Sequence, residues 1–267
     1  MRPVYIEGIG VYAPGLRGWT EAAAVLSGLS AYAPTPLPPL KPALLAPDVR
    51  RRTSEHIRLA VEVAGEAARM AGTDAKELAS VFATAESDGG ITHDICIEVA
   101  KENPQVSPTK FHNSVTNAPA GYWCMAVGSQ QPSTSVSGWD GTCAVGLMEA
   151  VAQLLTDQPR VLLVVHDAPF PEPLHAVRPL SAIFGMALVL GRGKSSRSLA
   201  QLTLSAPAPL ADETTCADNA LEAMRVGNPA ARALPLLAAL AAKRATTIDL
   251  PYVSDRQGLR LQVEPCV

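Results

Sequence analysis

The sequence is poor in aromatic residues, in charge and in cysteine. Phe, Trp and Tyr make up only 4% of 267 residues, so the core must come mainly from Ala, Leu and Val. Five Cys are too few, and an odd number, for a disulfide framework, which fits a reducing, cytoplasmic setting. Charged residues reach 18% and the net charge is −3, leaving no basic field for nucleic acid or anionic lipid. The apolar stretches are Ala-rich and interrupted, too short to span a bilayer, and the opening Met1-Arg2-Pro3-Val4-Tyr5-Ile6-Glu7 does not read as a signal peptide. The five histidines, His56, His93, His112, His166 and His175, show no i, i+4 pair and no neighbouring Cys pair, so neither a metal nor another cofactor is expected. What the chain does have is 48% hydrophobic residues, enough to bury a sizeable core.

Apolar periodicity predicts strands over 4–11, 79–85, 133–137, 160–165, 183–190 and 199–205. It predicts helices over 20–29, 53–71, 88–101, 117–127, 143–155 and 235–242, with Gly72 ending the second. The strand at 199–205 is expected to pair with 183–190 across the Gly191-Arg192-Gly193-Lys194 turn, and 248–253 with 259–263 as a closing hairpin. Six prolines between Ala33 and Pro47 mark an irregular surface loop. Strands alternating with helices through the middle argue for one α/β domain with a mainly parallel, buried sheet.

Two motifs fail on context. Gly8-Ile9-Gly10-Val11-Tyr12-Ala13 matches the dinucleotide fingerprint by letter, but Pro14-Gly15 breaks the chain where a helix should start. Gly193-Lys194-Ser195 reads as a basic turn rather than the end of a phosphate loop. Cys143 is more informative. It follows a strand and the small-residue run Ser137-Gly138-Trp139-Asp140-Gly141-Thr142, at the start of an apolar helix. A thiol there feels the helix dipole, which favours thiolate; a small buried hydrophobe is the equally open alternative. The G-x-C-x-G elbow spacing is missed by one residue. His166-Asp167 ends an apolar strand, a place where open α/β sheets often carry function.

The run from Ser107 to Trp123, containing Asn117, Ala120 and Gly121 and followed by Gly128, Pro132, Ser133 and Cys143, resembles the N-terminal half of the β-ketoacyl synthases. Ile6-Glu7-Gly8-Ile9-Gly10-Val11 with Pro14-Gly15 resembles their first strand. Within that family the chain is similar to a short, divergent branch, the ketosynthase-like proteins of aryl polyene and related bacterial polyketide clusters, which Pro173 to Leu180 also resembles. The resemblance implies a truncated thiolase-like α/β fold within a single domain, 1–267. One complete half, 1–205, would carry a mixed five-stranded sheet flanked by helices, and 206–267 would be a remnant of the second half.

In that family a Cys takes the acyl chain and two basic groups, usually His, lie well beyond it in the second half. No His follows His175 here. The resemblance therefore implies a chain-length-factor-like, non-catalytic subunit that pairs with a full-length ketosynthase and meets acyl carrier protein through that complex, without nucleic acid or membrane insertion. Phe111, Asn117, Tyr122, Trp123, Met125 and Trp139 are expected at the partner and tunnel interface, with ordinary core as the alternative for the aromatics. The rival reading is a Cys143-dependent acyltransferase with His166, His175 or His112 as base. A thioester hydrolase is the third.

Overall fold

A computed structural model describes residues 2–254 and 256–266. The strands are β1 Val4–Ala13, β2 Leu16–Arg17, β3 Ala79–Ala83, β4 Ser133–Val136, β5 Arg160–Asp167, β6 Phe184–Gly191, β7 Ala200–Leu204, β8 Ala208–Pro209, β9 Thr246–Pro251 and β10 Gln257–Pro265. The helices are α1 Trp19–Leu26, α2 Pro47–Arg50, α3 Glu55–Ala71, α4 Gly89–Val99, α5 Pro108–Asn113, α6 Ala118–Val127, α7 Thr142–Thr156, α8 Leu174–Val177, α9 Asn219–Gly227 and α10 Leu234–Ala241. Among the described residues the strands join in one sheet, in the order β4-β3-β5-β6-β1-β7-β10-β8, with β2 on β1 and β9 on β10.

The first five strands of that order form the mixed five-stranded unit expected for the first half. Among the described residues, 206–266 build no separate sheet; β10 continues the same one through β7. The expectation of a mainly parallel sheet fails. Only β3 pairs in parallel, with β4 and β5; the other ladders are antiparallel. Helical crossovers link only the middle strands, and a parallel pair needs such a crossover. The expected pairing of 199–205 with 183–190 also fails. β6 and β7 lie on opposite sides of β1, where Leu188 faces Ile9 and Leu202 faces Val4. The connection passes the end of β1, where the Leu199 amide donates to the Ile6 carbonyl (2.8 Å). Glu7 anchors it: its buried carboxylate accepts from Ser195 Oγ (2.5 Å) and Arg160 Nε (2.6 Å). Ser195, read as part of a basic turn, thus serves as a fastening point. The closing hairpin is as expected, with β9 against β10.

Helices cover both faces. Alternation along β5 sends Val161, Leu163 and Val165 into a core with α1, α7, α9 and α10. Leu162 and Val164 point to the other face, into a core with α3 and α6. α3 begins as the sequence indicates: Ser54 Oγ accepts from the Ile57 amide, and Gly72 ends the helix at φ 59°. Its stripe of Ile57, Ala60, Val61, Ala64 and Ala68 is buried. The helix rests on bare backbone, because a Cβ on Gly8 would lie 2.2 Å from the Ala67 carbonyl and one on Gly10 2.1 Å from that of Val63. The glycines of the false dinucleotide fingerprint exist for this contact.

Candidate functional site

The loop after β4 makes a tight turn, Trp139–Gly141, and runs into α7. Trp139 has φ 53°, a left-handed conformation uncommon for a bulky side chain. Thr142 closes the turn: its Oγ1 accepts from the Gly138 amide (3.0 Å) and donates to the Trp139 carbonyl (2.6 Å). Cys143 comes next and is 1% exposed, inside the core that includes Leu147, Leu163 and Val165. Burial pushes its thiol from 9.0 up to about 12. That rise corresponds to about 4 kcal/mol against the thiolate, more than a helix dipole typically returns. The dipole-activated thiolate is therefore not what this environment favours. The helix start is also covered. A Cβ on Gly141 would lie 2.1 Å from the carbonyl of Tyr252, just past β9.

His166 lies on the other side of the sheet. It follows Leu162 and Val164 in the β5 alternation and faces α3, where its ring centroid is 4.3 Å from that of His56 and 6.2 Å from that of Phe82. None of the four nitrogens of the His56–His166 pair has a hydrogen-bond partner. Burial holds both imidazoles below their ordinary pKa, and His56 adds to the effect on His166. Two imidazoles do meet in this fold, but the sheet separates them from Cys143, so His166 is not its base. His112 is exposed on α5 and His175 half-buried on α8. Asp167, next along β5, clamps the end of β3: Oδ1 accepts from Thr84 Oγ1 and the Ala85 amide, both at 2.8 Å. Burial pushes its carboxyl up to about 7 despite these bonds. His56 was missed in the sequence; its signal was a titratable residue one step inside a well-capped helix that must cover a sheet.

The six interface candidates divide. Phe111 (66%), Met125 (65%) and Trp139 (57%) are strongly exposed, and Asn117 is exposed as well. Tyr122 and Trp123 are core residues, the alternative left open for the aromatics. The cause is helical phase. Asn117, Gly121 and Met125 are four apart and face outward, whereas Tyr122 and Trp123 join the core with α3 and β3. Tyr122 Oη donates to Asn113 Oδ1 (2.9 Å), fastening α6 to α5. Trp139 is braced by Arg178, whose Cζ sits 4.1 Å from the ring centroid. Arg178 also pairs with Asp140 (2.6 Å) and with Glu86. β4 has β3 on one side and no strand on the other among the described residues. The edge of β9 is instead covered by Thr214, whose amide donates to the Asp249 carbonyl (2.9 Å).

A family model described as β-ketoacyl synthase, N-terminal domain, matches residues 19–250. Among solved structures, a ketosynthase in complex with its chain length factor from Xenorhabdus doucetiae matches with a TM-score of 0.76 and 21% identity, over 98% of this chain and 100% of that one. The ishigamide ketosynthase/chain length factor matches at 0.76 and 13% identity, over the whole of both chains. A β-ketoacyl synthase from Burkholderia phymatum matches at 0.60 and 14% identity, over 92% of this chain and 71% of that one. No curated protein matches. At these identities the structural likenesses speak for a shared thiolase-like fold; the family match is a match of sequence. The chain belongs to the family of the β-ketoacyl synthase N-terminal domain.

Proposed function

We propose that the chain is a chain-length-factor-like, non-catalytic partner of a full-length ketosynthase in aryl polyene, polyketide or fatty-acid-type biosynthesis. The observation that carries this reading is the placement of Cys143: buried in the apolar core and separated by the sheet from the His56–His166 pair. Acyl transfer needs a thiolate with a base in reach; burial disfavours the thiolate here, and the paired imidazoles lie across the sheet. The outer side of β4, unpaired among the described residues, and the exposed Phe111, Asn117, Met125 and Trp139 support a partner surface. The partner would carry the acyl chain and receive acyl carrier protein. This chain would close the end of the acyl tunnel and stabilise the active subunit, with Trp139 held at its elbow by Arg178. The fold's likeness to structures that contain chain length factors supports the same reading.

Co-expression with its ketosynthase, followed by size-exclusion chromatography with light scattering, tests the proposal. A stoichiometric heteromer is expected, and Met125→Lys combined with Trp139→Ser should dissociate it while leaving this chain folded. Two separately eluting proteins would contradict the proposal.

A further inference from the structure

The described surface carries a cleft of about 530 Å³ that the partner reading does not use. It opens between the starts of α3 and α4, and the 168–171 segment after β5 supplies Pro169, Phe170 and Pro171 as an apolar wall. His56 lines it while only 4% exposed, and Asp88 lines it at 9%. Both His56 nitrogens and Asp88 Oδ2 lack a hydrogen-bond partner, although Asp88 Oδ1 caps α4 by accepting from the Ile91 amide (3.0 Å). Buried polar groups left this way are uncommon and call for an explanation. Ser87, beside Asp88, is held at φ 63°, a conformation kept at cost and concentrated at functional sites. Its hydroxyl meets that of Thr116 at 2.7 Å.

The charges of the cleft choose the ligand. Glu55, Asp88 and Asp94 line it and no Lys or Arg does. Asp94 is already paired with Lys110 Nζ (2.7 Å), which leaves Asp88 and Glu55 uncompensated. The free amides at two helix starts would suit an anion, but a buried carboxylate with a vacant oxygen opposes one. Among the described residues no group of three His, Cys, Asp or Glu side chains is placed to hold a metal ion. His56, kept uncharged by burial and backed by His166, can accept a hydrogen bond as well as donate one.

We infer that this cleft binds an alkylammonium or alkylguanidinium group, its cationic head donating to Asp88 Oδ2 and to the imidazole of His56 and its alkyl chain lying along Phe170 and the flanking prolines. Such a head supplies several donors to acceptors that otherwise have none. The aromatic ring adds a favourable face for the cation or its chain. The inference concerns a surface separate from Cys143 and stands or falls independently of the partner assignment.

Agmatine and putrescine titrated into the full-length chain at constant ionic strength, with the histidine Cε1–H signals followed by NMR, test it. Tetramethylammonium and inorganic phosphate serve as controls. A saturable shift of the His56 signal is expected, that signal being assigned through His56→Gln. Asp88→Asn retains the helix cap and should weaken binding about ten- to a hundredfold. No saturable shift with either amine, equal binding by Asp88→Asn, or saturation by phosphate instead would overturn the inference.

Discussion

At the scale of single residues, position relative to the sheet decides chemistry. Cys143 has the local sequence of an activated thiol, yet it is the second residue of a helix whose start is roofed by Tyr252. Iodoacetamide at pH 8 should label exposed Cys96 first and reach Cys143 only on unfolding, as peptide mapping by mass spectrometry would show. Rapid labelling of Cys143 in the folded chain would refute its inertness. The titrating groups give a second prediction. Burial disfavours the charged forms of His56 and His166 in the fold, whereas in the unfolded chain they take up protons below about 6.5. Asp167 does the reverse, holding a proton in the fold up to about 7 where the unfolded side chain has lost it above about 3.8. About a unit or more below 6.5, yet still above about 3.8, the unfolded state therefore binds nearly two imidazole protons against one carboxyl proton in the fold. These groups should make stability fall by about 1.4 kcal/mol per pH unit on acidification. Asp167→Asn should roughly double that slope and His166→Leu should nearly abolish it, measured by urea unfolding at several pH values. Both the thiol and the strand-end histidine were legible as residues. Their separation was not, because sequence alone does not say which face of β5 receives α7 and which receives α3.

At the scale of elements, legibility followed local signals. α3 could be read from its apolar spacing, Ser54 and Gly72, all of which act in the structure as those residue types do elsewhere. α9 was overlooked although Asp218 caps it by accepting from the Ala220 and Leu221 amides, because the polar, irregular run before it masked the start. The misplaced partner of β7 has a different cause: a short apolar strand carries no record of its neighbour, and a glycine-rich connection does not by itself make a hairpin. Two glycines separate the demands on these elements. Gly10→Ala forces a Cβ into the Val63 carbonyl and should cost at least about 3 kcal/mol, since backbone rather than a flexible side chain must move. Gly121→Ala meets open space on α6 and should stabilise by about 0.5–1 kcal/mol. Thermal and denaturant unfolding of the two variants would show whether α3 and α6 are placed as described.

At the scale of the whole molecule, the sheet is finished at one end and open at the other. Thr214 covers β9, whereas among the described residues β4 has no strand on its outer side and is followed by exposed Trp139, with exposed Met125 on the neighbouring α6. Monomeric proteins usually protect such edges, and an unprotected one beside apolar side chains is where another chain would add. The α/β class was readable from the run of elements and the five-stranded unit from the family resemblance, while the way residues 206–266 extend the same sheet depended on long-range pairing. The account rests on chemistry carried out elsewhere than at this thiol. The most direct measurement is product formation by the chain reconstituted with its ketosynthase and acyl carrier protein, comparing wild type with Cys143→Ala. The account predicts unchanged yield and chain-length distribution from the variant. Loss of product, with the complex still assembled, would contradict it.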